Sequence, residues 1–313
     1  AMPTRVPRGL SSFGIAPFGG INEDDAPNAS HFFVDSGHAQ ASDGNDGEDR
    51  NYPMRTIDAA VARCAANNGD VIHVLPGHTE TVTAANGVDL DVAGIKVKGY
   101  GRGLSRPVIS LGTAVGASMR LNAASVVVEN IRITGDVDNL TNAIVINGVT
   151  DCVLREIELR DVTGQVAIGL AASDGTDRLT IDGYRHIGAA AAGTTRAMQF
   201  DGCDDLIVRN FYIYGNFSTT PINFVTTLSA RVWIHSGYIW TENAADTGIV
   251  DTITGTTGTV GPDVFIALQD DAANITEAVT GATLYVMDPV YVVNAVNEKA
   301  MLINWTASTD AIV

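Results

Sequence analysis

The sequence predicts an all-β chain wound as a parallel β-helix, and three observations predict it. First, one phrase returns through the middle of the chain: SVVVENIRI, DCVLREIEL, RLTIDGYRHI, LIVRNFYIYG and RVWIHSGYIW. Its third apolar positions are Val128, Leu154, Ile181, Val208 and Ile234, in steps of 26, 27, 27 and 26 residues. A fixed period of this length is the mark of a solenoid. Second, another series of short strands runs between these blocks: SMRLNA, NAIVING, VAIGLAA, AMQFDG, PINFVTT and TGIVDTI. Their anchors are Leu121, Ile146, Leu170, Phe200, Phe224 and Val250. Third, no helical pattern recurs inside the repeat, which excludes a leucine-rich horseshoe.

Composition agrees. Of 313 residues, 45% are apolar, 18% charged and 32 are glycine, which suits a large core with many tight turns. The net charge of −17 repels nucleic acid and anionic membranes, because such binding needs cations facing phosphates. No apolar run approaches the roughly 18 residues of a membrane span, and no secretory leader is visible. Cys64, Cys152 and Cys203 are expected as free thiols. If Cys152 and Cys203 lay two coils apart, their Cα atoms would be about 9.6 Å apart, beyond the roughly 7 Å limit of a disulfide. Free thiols fit synthesis in a cytoplasm. Asn-x-Ser/Thr at Asn28, Asn139, Asn216, Asn274 and Asn304 reads as chance, and Ala1 before Met2 as a vector scar.

Taken in order, residues 2–30 have no periodicity and are broken by Pro3, Pro7, Pro17 and four glycines. Arg5 and Arg8 make the start locally basic, and Phe13, Ile15 and Phe18 are spaced as in an extended segment. The segment reads as an arm that orders on a partner. Residues 31–69 form a cap. HFFVDSG is a strand, an acidic Gly/Asn/Asp turn follows, and Thr56 caps a helix predicted over 57–67. Ile57, Ala60, Val61 and Cys64 give that helix its apolar face, and Gly69 ends it. Residues 70–240 carry the regular coils, entered through Val74 and Val97, with a third short strand after each turn. Residues 241–313 loosen into irregular final coils and a C-terminal cap. The stretch from Asp70 to Trp305 has room for roughly nine coils.

The phrases FVDSG, DGNDG, YPMRTIDAAVARC and GDVIHVLPGHTETV resemble the N-terminal cap of pectate-lyase-like right-handed β-helix proteins. The resemblance implies a short helix plugging the open end of the solenoid, whose terminal coil must be covered. The opening MPTRVPRGLSSFG, this cap and the ending VVNAVNEKAMLINWTA are together similar to β-helix proteins that tailed bacteriophages encode among their head genes. That resemblance implies a surface-exposed virion component, a head decoration or fibre, made in the host cytoplasm. Its partners would be capsid or other virion proteins, and its assembly a homotrimer.

The register also predicts what faces outward. One residue past each anchor lie Glu129, Arg155, Asp182, Arg209 and His235, an alternating charge ladder. Two residues past lie Asn130, Glu156, Gly183, Asn210 and Ser236, where the chain bends left-handed onto the next face. Asp151, Asp177 and Asp204 are expected at one corner of three successive coils. Such a stack could hold Ca²⁺, but Asp at a turn more simply caps backbone N–H groups. The same choice applies to the acidic loop DSGHAQASDGNDGED. Of Phe211, Tyr212, Tyr214, Tyr238 and Trp240, alternate rings must point inward. Outward ones such as Tyr212 and Trp240 could stack on a cell-surface glycan or meet another subunit.

No catalytic or cofactor residue is assigned. The six histidines form no recognised ligand pair, and no nucleophile elbow, P-loop, HExxH or paired CxxC occurs. The sequence reads as a virion scaffold rather than an enzyme. The alternatives are a glycan-active enzyme, either a polysaccharide lyase or a depolymerising tailspike, and a non-catalytic carbohydrate-binding module.

Overall fold

The structure is a computed structural model. It describes residues 10–12, 15–18, 29–162, 166–188, 194–241, 247–253, 255–268, 279–280, 283–287, 290–294, 299–302 and 305–306. Short parallel strands stack into three faces of a right-handed β-solenoid. The first face begins with His31–Val34, Val71–Val74, Lys96–Gly99, Val127–Glu129, Val153–Arg155 and Thr180–Asp182. The second begins with Thr79–Val82, Val108–Leu111, Arg132–Gly135, Glu158–Asp161 and Arg185–Ile187. Ile207–Gly215 and Val232–Thr241 run round the corner and serve both. The third face is a separate sheet of eight strands, from Val88–Leu90 to Val279–Thr280.

The five anchors stack in register as the repeat predicts. Each is at most 1% exposed, within one continuous core. Burying a side chain of this size is worth roughly 1.5–3 kcal/mol, so the stack is the main cohesive element along the rod. Three register expectations are corrected. The first-face partner of Val97 is Ile72, not Val74, which pairs with Gly99. On the third face Ala172, not Leu170, continues the stack from Ile146 to Phe200. Asp251, not Val250, pairs with Phe224. A slip of two residues leaves the side chain on the same face, so apolarity alone could not choose between Leu170 and Ala172. Asp251 is buried because its carboxylate accepts the N–H groups of Gly255 and Thr256 and the Thr256 hydroxyl.

The solenoid has about seven turns rather than nine, counted from the first to the last of the eight third-face strands. Dividing the chain by its period assumed regular winding to Trp305. Instead Lys299–Leu302 and Trp305–Thr306 turn back and pair antiparallel with Val290–Asn294 and Leu284–Val286. The capping helix is Ile57–Val61, shorter than 57–67. Thr56 caps it through a bond from the Ala59 N–H, and Glu80 accepts from the Ile57 N–H. Beyond Val61 the chain tightens into i→i−3 bonds at Arg63 and Cys64. The Asp70 carboxylate then takes the Ala65 N–H, which a continuing helix would have used itself.

Leu10–Ser12 and Ile15–Phe18 pair antiparallel as a two-stranded sheet of their own. Arg5, Arg8, Phe13 and the Phe18 side chain lie outside what the structure describes. Among the described residues no helix is long and apolar enough to cross a membrane. Cys64, Cys152 and Cys203 are free. Cys152 and Cys203 do not occupy equivalent rungs. Cys152 immediately precedes the first-face strand Val153–Arg155, and its counterpart two coils on is Leu206, three residues past Cys203.

Candidate functional site

The outward charge ladder stands on the first face as its spacing predicts. Glu129, Arg155, Asp182, Arg209 and His235 are successive register partners. Arg155 pairs with Glu129, and Arg209 reaches Asp182 at 2.8 Å. Burial alone would raise the Asp182 pKa, but hydrogen bonds from Asn210 and Arg209 outweigh it and hold the carboxyl below its usual range. His235 is pushed down by burial and then by the Arg209 charge. All five following positions have positive φ, from 53° at Ser236 to 80° at Gly183.

The expected Asp151–Asp177–Asp204 corner does not form as a stack of three. Asp151 N bonds Asp177 O, and Arg178 N bonds Asp204 O. The equivalent positions are therefore Asp151, Arg178, Asp205 and Arg231, with Asp177 and Asp204 one residue earlier. Each of these four lies three residues before an anchor, at Leu154, Ile181, Val208 and Ile234, so the count from the anchors gives the register that the row of aspartates obscured. The result is a second charge ladder. Arg178 grips Asp151 with two bonds of 2.6 and 2.8 Å, and Arg231 grips Asp205 with 2.5 and 2.9 Å. Asp177 and Asp204 accept the N–H groups of Asp204 and Ala230. In the acidic cap loop, Asp35, Asp43, Asp46 and Asp49 likewise accept local backbone N–H groups. Among the described residues no group of three or more His, Cys, Asp or Glu side chains converges on a point that could hold a metal ion.

The concentration of chemistry lies on the second face. Arg132, Glu158, Arg185, Tyr212, Tyr238, Phe265 and Tyr291 are successive outward register partners, one per coil. Beside them run Arg160, Ile187, Tyr214 and Trp240. The strip is charged at one end and aromatic at the other. At the charged end the buried Glu158 carboxylate is shared by Arg132 at 2.9 Å, Arg160 at 2.5 Å and Arg106 at 3.3 Å. Burial opposes its ionisation, yet the bonds from Arg160 and the charge of Arg132 prevail and lower its pKa.

At the aromatic end the rings stack on one another. Tyr212 and Tyr238 are 5.2 Å apart and 10° from parallel, and Tyr238 and Phe265 are 5.1 Å apart and 1° from parallel. The Arg185 guanidinium lies 5.1 Å from the Tyr212 ring centre. Both faces of Tyr212 are thus covered, by Arg185 and Tyr238, and the ring offers its edge and hydroxyl outward. A sugar or subunit meeting Tyr212 therefore meets its edge and hydroxyl. Trp240 stands in the neighbouring row, 6.4 Å from Tyr238 and 6.5 Å from Tyr214. The sequence reading found Tyr212 and Trp240 but missed the arginine cluster. The signal was present: four residues past the anchors Val128, Leu154, Ile181, Val208 and Ile234 stand Arg132, Glu158, Arg185, Tyr212 and Tyr238.

Three parallel faces, inward anchors and left-handed corners define a right-handed parallel β-solenoid protein. The comparisons place it no more narrowly. The GH136 lacto-N-biosidase from Eubacterium ramulus has a similar structure, with a TM-score of 0.56 and 13% identity. The similarity covers 89% of this chain but 58% of that one, so this chain spans little more than half its length. A rhamnogalacturonan lyase is matched at a TM-score of 0.45 and 11% identity, over 88% of this chain and 90% of that one. At such identities the likeness is one of fold. No protein-family model and no curated protein matches the sequence.

Proposed function

We propose that this protein is a structural component of a tailed-bacteriophage particle, a rigid solenoid carried on the surface of the head as a decoration or fibre. The observation that carries the reading is the N-terminal ribbon, Leu10–Ser12 with Ile15–Phe18, which forms a sheet apart from the sealed solenoid. It lies in the segment whose sequence is similar to phage head-gene proteins, as does the chain ending at residues 292–307. An attachment arm followed by a stiff rod is the division of labour such a protein needs. The two ladders of arginine–carboxylate pairs support the rod. In this reading the arm, with Arg5, Arg8, Phe13 and Phe18, docks on capsid or other virion proteins, and the chain is a homotrimer. Immunogold labelling of the parent particle tests it. Labelled heads are expected, and unlabelled virions overturn the reading.

A second reading, a glycan-binding or glycan-active solenoid, is favoured by the arginine and aromatic strip of the second face. The fold shared with a lacto-N-biosidase is compatible with it, but fold does not determine function. Binding on a glycan array, with reducing ends followed over time, separates a binding module from a hydrolase. A lyase would instead raise ultraviolet absorbance.

A further inference from the structure

We infer that the charged end of the second-face strip is a binding site for a carboxylate group on a sparsely charged glycan, gripped by Arg160 and Arg185. The inference rests on the glycan-binding reading above and adds to it a site and a ligand class.

The first argument is charge balance. Three guanidiniums, from Arg106, Arg132 and Arg160, gather around the Glu158 carboxylate, and a fourth, from Arg185, belongs to the next coil. Glu158 already accepts from three of them. Arg185 is its register partner on the next coil, yet among the described residues Arg185 makes no ion pair and turns instead onto Tyr212. The Arg106 Nε is buried without a hydrogen-bond partner. The patch therefore carries a surplus of three positive charges on a chain whose net charge is −17. Like charges held this close are stabilised by an anion, and a guanidinium edge matches a carboxylate with two parallel bonds.

The second argument is geometry. The Arg185 guanidinium lies over the Tyr212 ring, 5.1 Å from its centre, with further rings stacked behind, a contact that restricts the side chain and leaves it less entropy to lose on binding. Because the interior rings cover one another's faces, recognition here runs through the guanidinium fork and the Tyr212 and Tyr238 hydroxyls rather than through ring stacking. A polyhydroxylated chain bearing a carboxylate offers partners for both. The third argument is long-range. A chain at −17 repels a densely charged polyanion, so the ligand carries isolated carboxylates on an otherwise neutral backbone.

The test uses the full chain and calorimetry with three probes: a neutral oligosaccharide carrying one hexuronate, the same oligosaccharide with that carboxyl reduced to an alcohol, and heparin. The hexuronate probe is expected to bind. The reduced probe, Arg160→Gln and Arg185→Lys should each lose about tenfold or more, the scale of one charged hydrogen-bonded contact. Tyr212→Phe should weaken binding by removing one hydroxyl contact, and Tyr212→Ala should weaken it further by also releasing Arg185. Circular dichroism confirms that each variant is folded. Equal binding of the acidic and reduced probes, or unchanged affinity in both arginine variants, overturns the site while leaving glycan binding intact. Heparin as the tightest probe overturns the ligand class. No binding to any probe removes the site and the glycan reading together. Arginine variants that change the mass in light scattering without changing glycan affinity would assign the strip to contact between copies, and overturn it.

Discussion

Glu158 sets the balance of the second face at the scale of a single residue. Its carboxylate is buried and is shared by three arginines. Glu158→Gln keeps the shape and removes the charge, leaving three guanidiniums against a neutral amide. A loss of about 3 kcal/mol is expected in denaturant unfolding, the scale of breaking a buried pair. Acid should do the same more gradually. Glu158 and Asp182 both have folded pKa values below those of the unfolded chain. Their stabilisation is fully present above the ordinary carboxylate range near pH 4 and is lost as pH falls through the lower folded values. The denaturant midpoint should therefore fall between pH 5 and pH 3, and an unchanged midpoint would contradict the pairing. Asp151 and Asp205 are also lowered, by Arg178 and Arg231 respectively, but these pairs are exposed and screened and add little. The thiols give a further residue-scale expectation. Burial pushes Cys64 and Cys203 up to about 12, and Cys152 upward as well. The thiolate is the reactive form, so a disulfide reagent at pH 8 should label the native chain slowly and all three thiols rapidly in denaturant.

Among the elements, the cap and the corners decide whether the stack is sealed. The five-residue helix Ile57–Val61 is too short to hold itself. It is fixed by its buried face of Ile57, Ala60 and Val61 and by Glu80, which takes the Ile57 N–H and lies 3.4 Å from His78. Glu80→Ala should leave that N–H unsatisfied, at a cost of about 1–3 kcal/mol. Faster hydrogen exchange at residues 57–61, with the central coils unchanged, would show it; uniform loss of protection would place Glu80 in the global core instead. The sequence located the start of this helix and its N-cap residue, Thr56. It overran the helix end because Asp70, five residues beyond Ala65, competes for the Ala65 N–H through a turn that periodicity does not register.

For the whole molecule, rigidity follows from repetition. Every first-face rung repeats an inward anchor, and the two outward ladders bind neighbouring coils by arginine. Deviations cluster at the ends, where the last strands turn back antiparallel and the N-terminal ribbon forms its own sheet. The immunogold and glycan experiments both ask what such a rod presents, one of its arm and the other of its second face.

The sequence by itself determined the solenoid, the first-face ladder, the left-handed corners and the free thiols. Each depends on local spacing, and a parallel stack converts a period of 26 or 27 residues directly into neighbours in space. Only the tertiary structure decided the rest. Ring stacking closed both faces of Tyr212. Arg185 turns onto Tyr212, beside a Glu158 already shared by three arginines, because of the partners the fold brings within its reach. Spacing says which residues are adjacent; it does not say which of several adjacent charges and rings will pair.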